Sequence, residues 1–397
     1  MRVLFLLPGR VPPPQDPSRD RLYFLSDISS GAALLPVWWA TAASAPAFLR
    51  AEFPLHRVGR FRYHLHLAYR WPKPLRSLAR FLFYVNRGWR LHREEPFDVI
   101  VTYGTNATGL AAVLLQRLTG AKLVVEVPGV PENAFRYDRP RQGRASALKR
   151  AVASRLLNFV GGRADCMKLL YPSQLRHYPR LRNIPTAVFH DFVPVSQIRE
   201  IATAERFVLS VGHPWYTKGM DVLIQAFLAV APEFPEYRLK LMGYFPDRAR
   251  LEELAAGCNR IEFLEARPNE AALEVIGACA VFVLASRTEA MGRVLLEAMA
   301  ARKPILASAV GGIPFYLGDN KQGLLFAPGD ATNLAARLTA VLGSEDLRQR
   351  FGEEGLRRVR SEYDERAYVA SFQAMLRGTV SRTGRQWRQR KCRQIDE

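Results

Sequence analysis

From residue 207 onward the chain repeats one alternation. Six short apolar runs, at 207–212, 237–243, 261–265, 281–286, 304–308 and 323–328, alternate with helical patterns at 218–230, 248–256, 269–279, 292–302 and 330–342. Continuous apolar runs ending in glycine or polar turns are strands buried on both faces. Strands that alternate with helices build a parallel sheet covered on both sides. The second half is therefore a doubly wound α/β domain. Ligands on such sheets sit at the carboxyl ends of the strands, where loops lead into helices.

The first half carries a weaker version of the same pattern. Strands are predicted at 2–8, 33–39, 98–103, 122–127 and 186–193, and helices at 19–29, 74–93, 106–118 and 144–160. A length of 397 residues exceeds the roughly 250–300 at which single cores stop growing. We expect two domains, 1–195 and 196–362, joined through Asp191–Ala204, which lacks a pattern and contains Pro194. A helix at 363–377, placed to return to the first domain, and a basic, disordered tail at 378–397 complete the chain. The run Val3–Leu7 is too short for a signal-peptide core or a membrane span and reads as a first strand. Cys166, Cys258, Cys279 and Cys392 have no paired spacing, which fits a reducing compartment and no metal site.

The net charge is +20, unevenly spread. Residues 1–195 hold 29 Lys and Arg against 12 Asp and Glu, and the tail 377–397 holds 7 against 2. Such a field attracts polyanions. Residues 56–93 interleave cations with aromatics: His56, Arg57, Arg60, Phe61, Arg62, Tyr63, Tyr69, Arg70, Trp71, Arg76, Arg80, Phe83, Tyr84, Arg87 and Trp89. That mixture suits an anionic membrane surface, single-stranded nucleic acid, or merely a solvated basic face.

Two stretches carry the chemistry. In 211–227 a strand ends at Gly212, and Lys218-Gly219 opens an amphipathic helix. A cation there opposes the helix dipole, yet can reach a diphosphate lying across the strand ends. In 286–318 a strand runs through Arg287-Thr288-Glu289 and Ala290-Met291-Gly292 into a helix holding Arg293 and Glu297. Two carboxylates can accept hydrogen bonds from vicinal hydroxyls, and amides at 290–293 can meet phosphate oxygens. The competing reading is an Arg293–Glu297 surface pair beside a solvated loop acid at 289.

Together these stretches resemble the retaining glycosyltransferases of family 4. The resemblance rests on Val211-Gly212, Lys218-Gly219, Asp221, Glu289, Glu297-Ala298-Met299-Ala300, Pro304, Gly311-Gly312-Ile313-Pro314, Gly323-Leu324-Leu325 and Pro328-Gly329-Asp330. It is strong over about 205–343 and weak before that. It implies a GT-B fold, α/β, with two Rossmann-like doubly wound parallel-sheet domains facing a cleft, the first binding acceptor and the second binding a nucleotide sugar. It implies Lys218 and Glu289 as catalytic residues, Lys218 on the donor diphosphate and Glu289 on the donor sugar. Gly212, His213, Ala290, Met291, Gly292 and Arg293 would complete the donor site, with Glu297 on the ribose. No cofactor or metal is implied, and retention needs no dedicated base if the leaving phosphate takes the acceptor proton. The implied partners are a nucleotide sugar and a lipid-linked or glycan acceptor, in the cytoplasm or on the inner face of the membrane; nucleic acid is not implied.

The chain departs from that pattern at several points. His213 stands where the family has arginine, for which Arg287 or Arg293 could substitute. Ala290-Met291 replaces glycine and an aromatic, and Phe315 replaces an acid. Pro8–Pro14 stands in place of a Gly-Gly loop, and Pro128 in place of a histidine. A non-catalytic nucleotide-sugar-binding protein is therefore a second reading, and a basic nucleic-acid-binding protein a third.

Overall fold

The structure, a computed structural model, describes residues 1–8, 16–37, 55–67, 73–130, 144–201, 204–318 and 320–381. The loop at Gly9–Pro14, Tyr69, Arg70, Trp71, the side chain of Arg76, Cys392 and most of the basic tail lie outside them. The chain divides into two compact units. The first comprises Met1–Pro131, Ala147–Phe189 and Val369–Glu397; the second comprises Glu132–Ser146 and His190–Tyr368.

The first unit is built on an eight-stranded sheet: β1 (Arg2–Leu6), β2 (Ser30–Val37), β3 (Leu55–Val58), β4 (Phe61–Leu67), β5 (Val99–Tyr103), β6 (Lys122–Glu126), β7 (Cys166–Leu169) and β8 (Thr186–Val188). Their spatial order is β3-β4-β2-β1-β5-β6-β7-β8. All pairs are parallel except β3 with β4. Its helices are α1 (Arg21–Leu25), α2 (Lys73–Glu94), α3 (Ala107–Thr119) and α4 (Arg144–Gly161), whose first residues fall in the second unit. Val3, Phe5, Val99 and Leu123 are wholly buried, as strands covered on both faces require.

The β3–β4 hairpin corrects the reading of 56–93 as one surface. Val58 pairs with Phe61 across a two-residue turn at Gly59-Arg60. The period-2 alternation then sends His56, Val58, Phe61 and Tyr63 inward, while Arg57 and Arg62 face water. The Tyr63 hydroxyl donates to Asp20 at 2.6 Å, and Tyr84 is 1% exposed with its hydroxyl donating to the Leu7 carbonyl at 2.5 Å. These aromatics are core.

The second unit carries a six-stranded, wholly parallel sheet: β9 (Phe207–Val211), β10 (Arg238–Gly243), β11 (Ile261–Glu265), β12 (Val281–Leu284), β13 (Ile305–Ser308) and β14 (Gly323–Phe326). The order is β11-β10-β9-β12-β13-β14. The helices are α5 (Met220–Val230), α6 (Arg248–Leu254), α7 (Asn269–Ala278), α8 (Arg293–Ala300), α9 (Ile313–Tyr316), α10 (Ala331–Leu342) and α11 (Glu345–Glu362). All six strands match the sequence pattern within two residues. Between β9 and β12 the order of strands reverses direction, and that is where α/β sheets open a crevice at their carboxyl ends.

The segment at 190–201 packs on the second unit. The Asp191 amide contacts the Met291 sulfur at 3.3 Å, and Ser196 donates its amide and hydroxyl to Glu365 at 3.0 and 2.6 Å. Helix α12 (Glu365–Val380) starts in the second unit, and its residues from Val369 belong to the first. Accordingly Tyr368 packs on Phe192, and Phe372 on Phe5 and Phe189.

Candidate active site

Strand β9 delivers Gly212 to the carboxyl edge of the second sheet with φ of +146°. A Cβ there would lie 2.9 Å from Cε of Lys218, so the missing side chain is the space through which the lysine stem passes. Lys218 thus lies back across the strand end rather than out along α5. The next strand, β12, delivers Ser286 and the loop to Glu289. Lys218 Nζ donates to Glu289 Oε2 at 2.5 Å, and the Ser286 hydroxyl donates to the same oxygen at 3.3 Å. Both charged side chains are more than four-fifths buried, at 18% and 15% exposure.

Two further contacts tie the loops together. Arg287 forms a two-pronged pair with Asp221, both bonds at 2.7 Å, donates to the Tyr216 carbonyl at 2.6 Å and stacks over the Tyr216 ring. Its amide donates to the Thr217 carbonyl. Arg287 therefore positions the loop that carries Lys218, and it is not placed as a stand-in for the family arginine. Opposite, the Gly312 amide donates to the Ala290 carbonyl at 2.8 Å, holding the loop that carries Glu289.

The remaining predicted residues fall around this pair. His213 is exposed and its ring nitrogen meets the Tyr244 carbonyl at 2.9 Å, so its ring is held by β10's loop. Ala290 is half-buried, Met291 is buried, and Gly292 caps α8 with φ of +74° and its missing Cβ 3.3 Å from Glu289 Cγ. No side chain caps α8, and its Leu295 amide donates to the Gly292 carbonyl at 2.7 Å. Glu297 sits on α8, buried to 7% exposure, and accepts from Arg293 at 3.4 Å. Lys218 and Glu289 are thus in direct contact, while Glu297 belongs to the same loop-helix element but pairs elsewhere.

Burial pushes the Glu297 carboxyl above its ordinary range, with Arg293 pulling it part of the way back. The folded state therefore holds that proton more tightly than the unfolded chain. The associated stability is complete below the ordinary carboxyl range and is lost as pH rises through the raised value. Glu297→Gln, which cannot ionise, is expected to raise the thermal midpoint at about pH 8, with the gain closing towards about pH 4. Thermal melts of both proteins across that range check this; a gain that does not vary with pH would contradict it.

Sequence reasoning missed the Arg21–Glu126 pair. Glu126 ends β6, is 1% exposed, and takes two hydrogen bonds from Arg21 at 2.9 and 2.8 Å. The one available signal was an acid closing an otherwise apolar strand.

Residues 195–358 match the sequence model for glycosyl transferases group 1, and residues 31–190 match that for the glycosyl transferase 4-like domain. Between them the two models span most of the chain, which is a glycosyltransferase. It is 32% identical over 181 residues to an exopolysaccharide phosphotransferase of Streptomyces coelicolor, covering 44% of this chain and 18% of that protein. The chain spans less than half the length of the curated relatives it matches. Among solved structures, sucrose-phosphate synthase from Thermosynechococcus elongatus superposes with a TM-score of 0.77 at 19% identity, covering 95% of this chain and 98% of that one. Anabaena HepE in complex with UDP and glucose superposes with a TM-score of 0.69 at 17% identity, covering 95% and 99%. Both parallel-sheet units are those of the GT-B class. No helix among the described residues is long and apolar enough to cross a membrane.

Proposed function

We propose that this glycosyltransferase moves a hexose from a nucleotide-sugar donor to a lipid-linked or polysaccharide acceptor, with retention of configuration. The observation that carries this is the Lys218–Glu289 pair, held at the strand tips beside the uncapped start of α8. A sugar-phosphate bond breaks with negative charge building on the departing diphosphate. Fixed cations and amides meet that charge without reorganising. Glu289 neutralises Lys218. An incoming diphosphate takes over the ammonium, and the carboxylate is released to accept hydrogen bonds from sugar hydroxyls. Glu297, with Arg293 beside it, is assigned to the ribose. The leaving phosphate takes the acceptor proton, so no separate base is required. Lys218 and the helix amides are assigned to meet the diphosphate charge, and no metal or other cofactor is invoked.

We place the chain in the cytoplasm, with peripheral contact at the inner face of the cell membrane. HepE, crystallised with UDP and glucose, supports a donor of the nucleotide-sugar class. The test is a thermal-shift screen of UDP-, GDP- and ADP-sugars in EDTA, followed by a transfer assay. One donor class is expected to raise the midpoint, since a ligand that binds only the native state stabilises it. A shift without transfer to any acceptor would favour a non-catalytic binding protein, and no shift with any donor would sink the reading.

A further inference from the structure

We infer that the outer face of the helical layer α2–α3–α4 in the first unit is a docking surface for an anionic lipid bilayer. This deepens the membrane-surface reading proposed above and assigns it to specific side chains. Helix α2 packs along α3, and α3 meets α4 where Gly109 faces Val160. Gly88 lets α2 close on α3, since a Cβ there would stand 2.8 Å from Leu115, and Gly109 does the same for α3 against Val160 of α4 at 3.0 Å. Their inner faces supply core residues Tyr84, Leu91, Leu115, Leu157 and Val160.

Their outer faces are apolar where water should be. Leu75, Leu78, Leu82 and Trp89 follow the spacing i, i+3, i+7, i+14 on α2, and all are exposed, Leu78 and Leu82 at 54% each. Leu148, Val152 and Phe159 follow i, i+4, i+11 on α4, with Leu148 at 64%. Such spacings place each set in a narrow stripe along its helix. Among the described residues, 15 large apolar side chains are exposed, and with Leu118 of α3 eight of them lie on these three helices. A stripe of this kind on a water-soluble surface marks an interaction face.

Charge selects the occupant. Residues 73–94, 107–119 and 147–161 contain ten Lys and Arg and a single acid, Glu94. Arg90, Arg93, Arg117, Lys149 and Arg155 are exposed beside the stripes. Arg93 lies over the Trp89 ring at 5.0 Å, which joins a cation to an amphipathic aromatic at one edge of the face. Apolar stripes flanked by unopposed cations match a bilayer's order of acyl chains beneath anionic headgroups. A protein partner would need a matching acidic rim around a leucine groove. Nucleic acid would leave Leu75, Leu78, Leu82 and Leu148 without apolar cover.

The test is co-sedimentation with vesicles of phosphatidylcholine alone and of phosphatidylcholine with one-third phosphatidylglycerol, read independently of donor binding and transfer. The full chain is expected to bind the anionic vesicles at least about tenfold more tightly than the neutral ones, and less tightly as salt rises. Leu78→Asp/Leu82→Asp and, separately, Lys149→Glu/Arg155→Glu are each expected to weaken that binding about tenfold or more. Both pairs are exposed, so thermal midpoints and donor-induced shifts are expected to match those of the parent. Equal binding to both vesicle types, or variants that bind like the parent, would overturn the inference. So would a self-associated chain that Leu78→Asp/Leu82→Asp renders monomeric, or salt-sensitive RNA binding without vesicle binding. Vesicle binding without any donor-induced shift would leave this surface standing and remove the transferase reading instead.

Discussion

Lys218→Ala is expected to lower glycosyl transfer about 10²–10³-fold, the usual cost of removing one fixed charge-stabilising donor. The lysine's recorded partners are Glu289 and its own loop backbone, and its stem rests in the space left by Gly212. Removing it leaves Glu289 with only the longer bond from Ser286. The loss should fall mainly on kcat, because charge on the leaving diphosphate grows between the bound donor and the transition state. Steady-state kinetics of the variant check this, with unfolding midpoints as a control for folding. Parent-like kcat would show that the 218 cation does not meet the developing charge. Lys218→Arg is the informative companion, since it keeps the charge and changes the reach.

Gly311→Ala is expected to cost about 2–4 kcal/mol of stability in the second unit and to reduce transfer about 10²-fold. Gly311 has φ of +56°, and an added Cβ would stand 1.7 Å from the Glu289 carbonyl oxygen. The obstructing atom is backbone, so no side-chain rotation relieves the clash. The loop from Arg287 to Gly292 must shift, and with it the Glu289 carboxylate. Denaturant unfolding and the transfer assay together read both effects. A destabilised variant with undiminished transfer would show that the position of this loop does not govern the chemistry. The same outcome would weaken the role assigned to Glu289, because its backbone is what Gly311 holds in place.

These two glycine contacts show why the candidate site was only partly legible. The residues themselves stand out in the chain: a lysine opening a helix against the dipole, and acids at 289 and 297 around a turn at Gly292. Their relation does not. The sequence pattern assigns Lys218 to a diphosphate and Glu289 to a sugar as separate acts, whereas the fold pairs them at 2.5 Å. It offers Arg287 or Arg293 as a replacement cation, whereas in the fold Asp221 takes one edge of the Arg287 guanidinium through two hydrogen bonds. Pairings between loops of different strands depend on how the strands are ordered in the sheet, and that order is not written locally.

The β3–β4 hairpin and α11 were missed for opposite reasons. The hairpin's signal was present: inward His56, Val58, Phe61 and Tyr63 alternate with polar partners around Gly59-Arg60. Its arginines drew the reading towards a surface instead. For α11 the local signal points the wrong way. Glu345–Glu362 is strongly polar and contains Gly352 and Gly355, which ordinarily weaken a helix by about 1 kcal/mol each. In the folded chain a Cβ at Gly352 would stand 2.6 Å from the Arg302 carbonyl, and one at Gly355 would lie 3.5 Å from Met299. Small residues there let α11 lie close against the end of α8, and Ser344 caps its start through the Leu347 amide.

The sequence by itself determined the repeating units of this protein. Each strand-turn-helix step is written within some thirty residues, as apolar runs, glycine turns and helical periodicity, so the doubly wound class and the loops that would carry chemistry could be read directly. Only the tertiary structure decided which of those loops meet. It set β9 next to β12, closed Lys218 on Glu289, bound Arg287 to Asp221, and left the apolar stripes of α2 and α4 exposed. The two loop contacts join residues 71 and 66 positions apart, and burial and close packing select them only when the whole sheet is assembled.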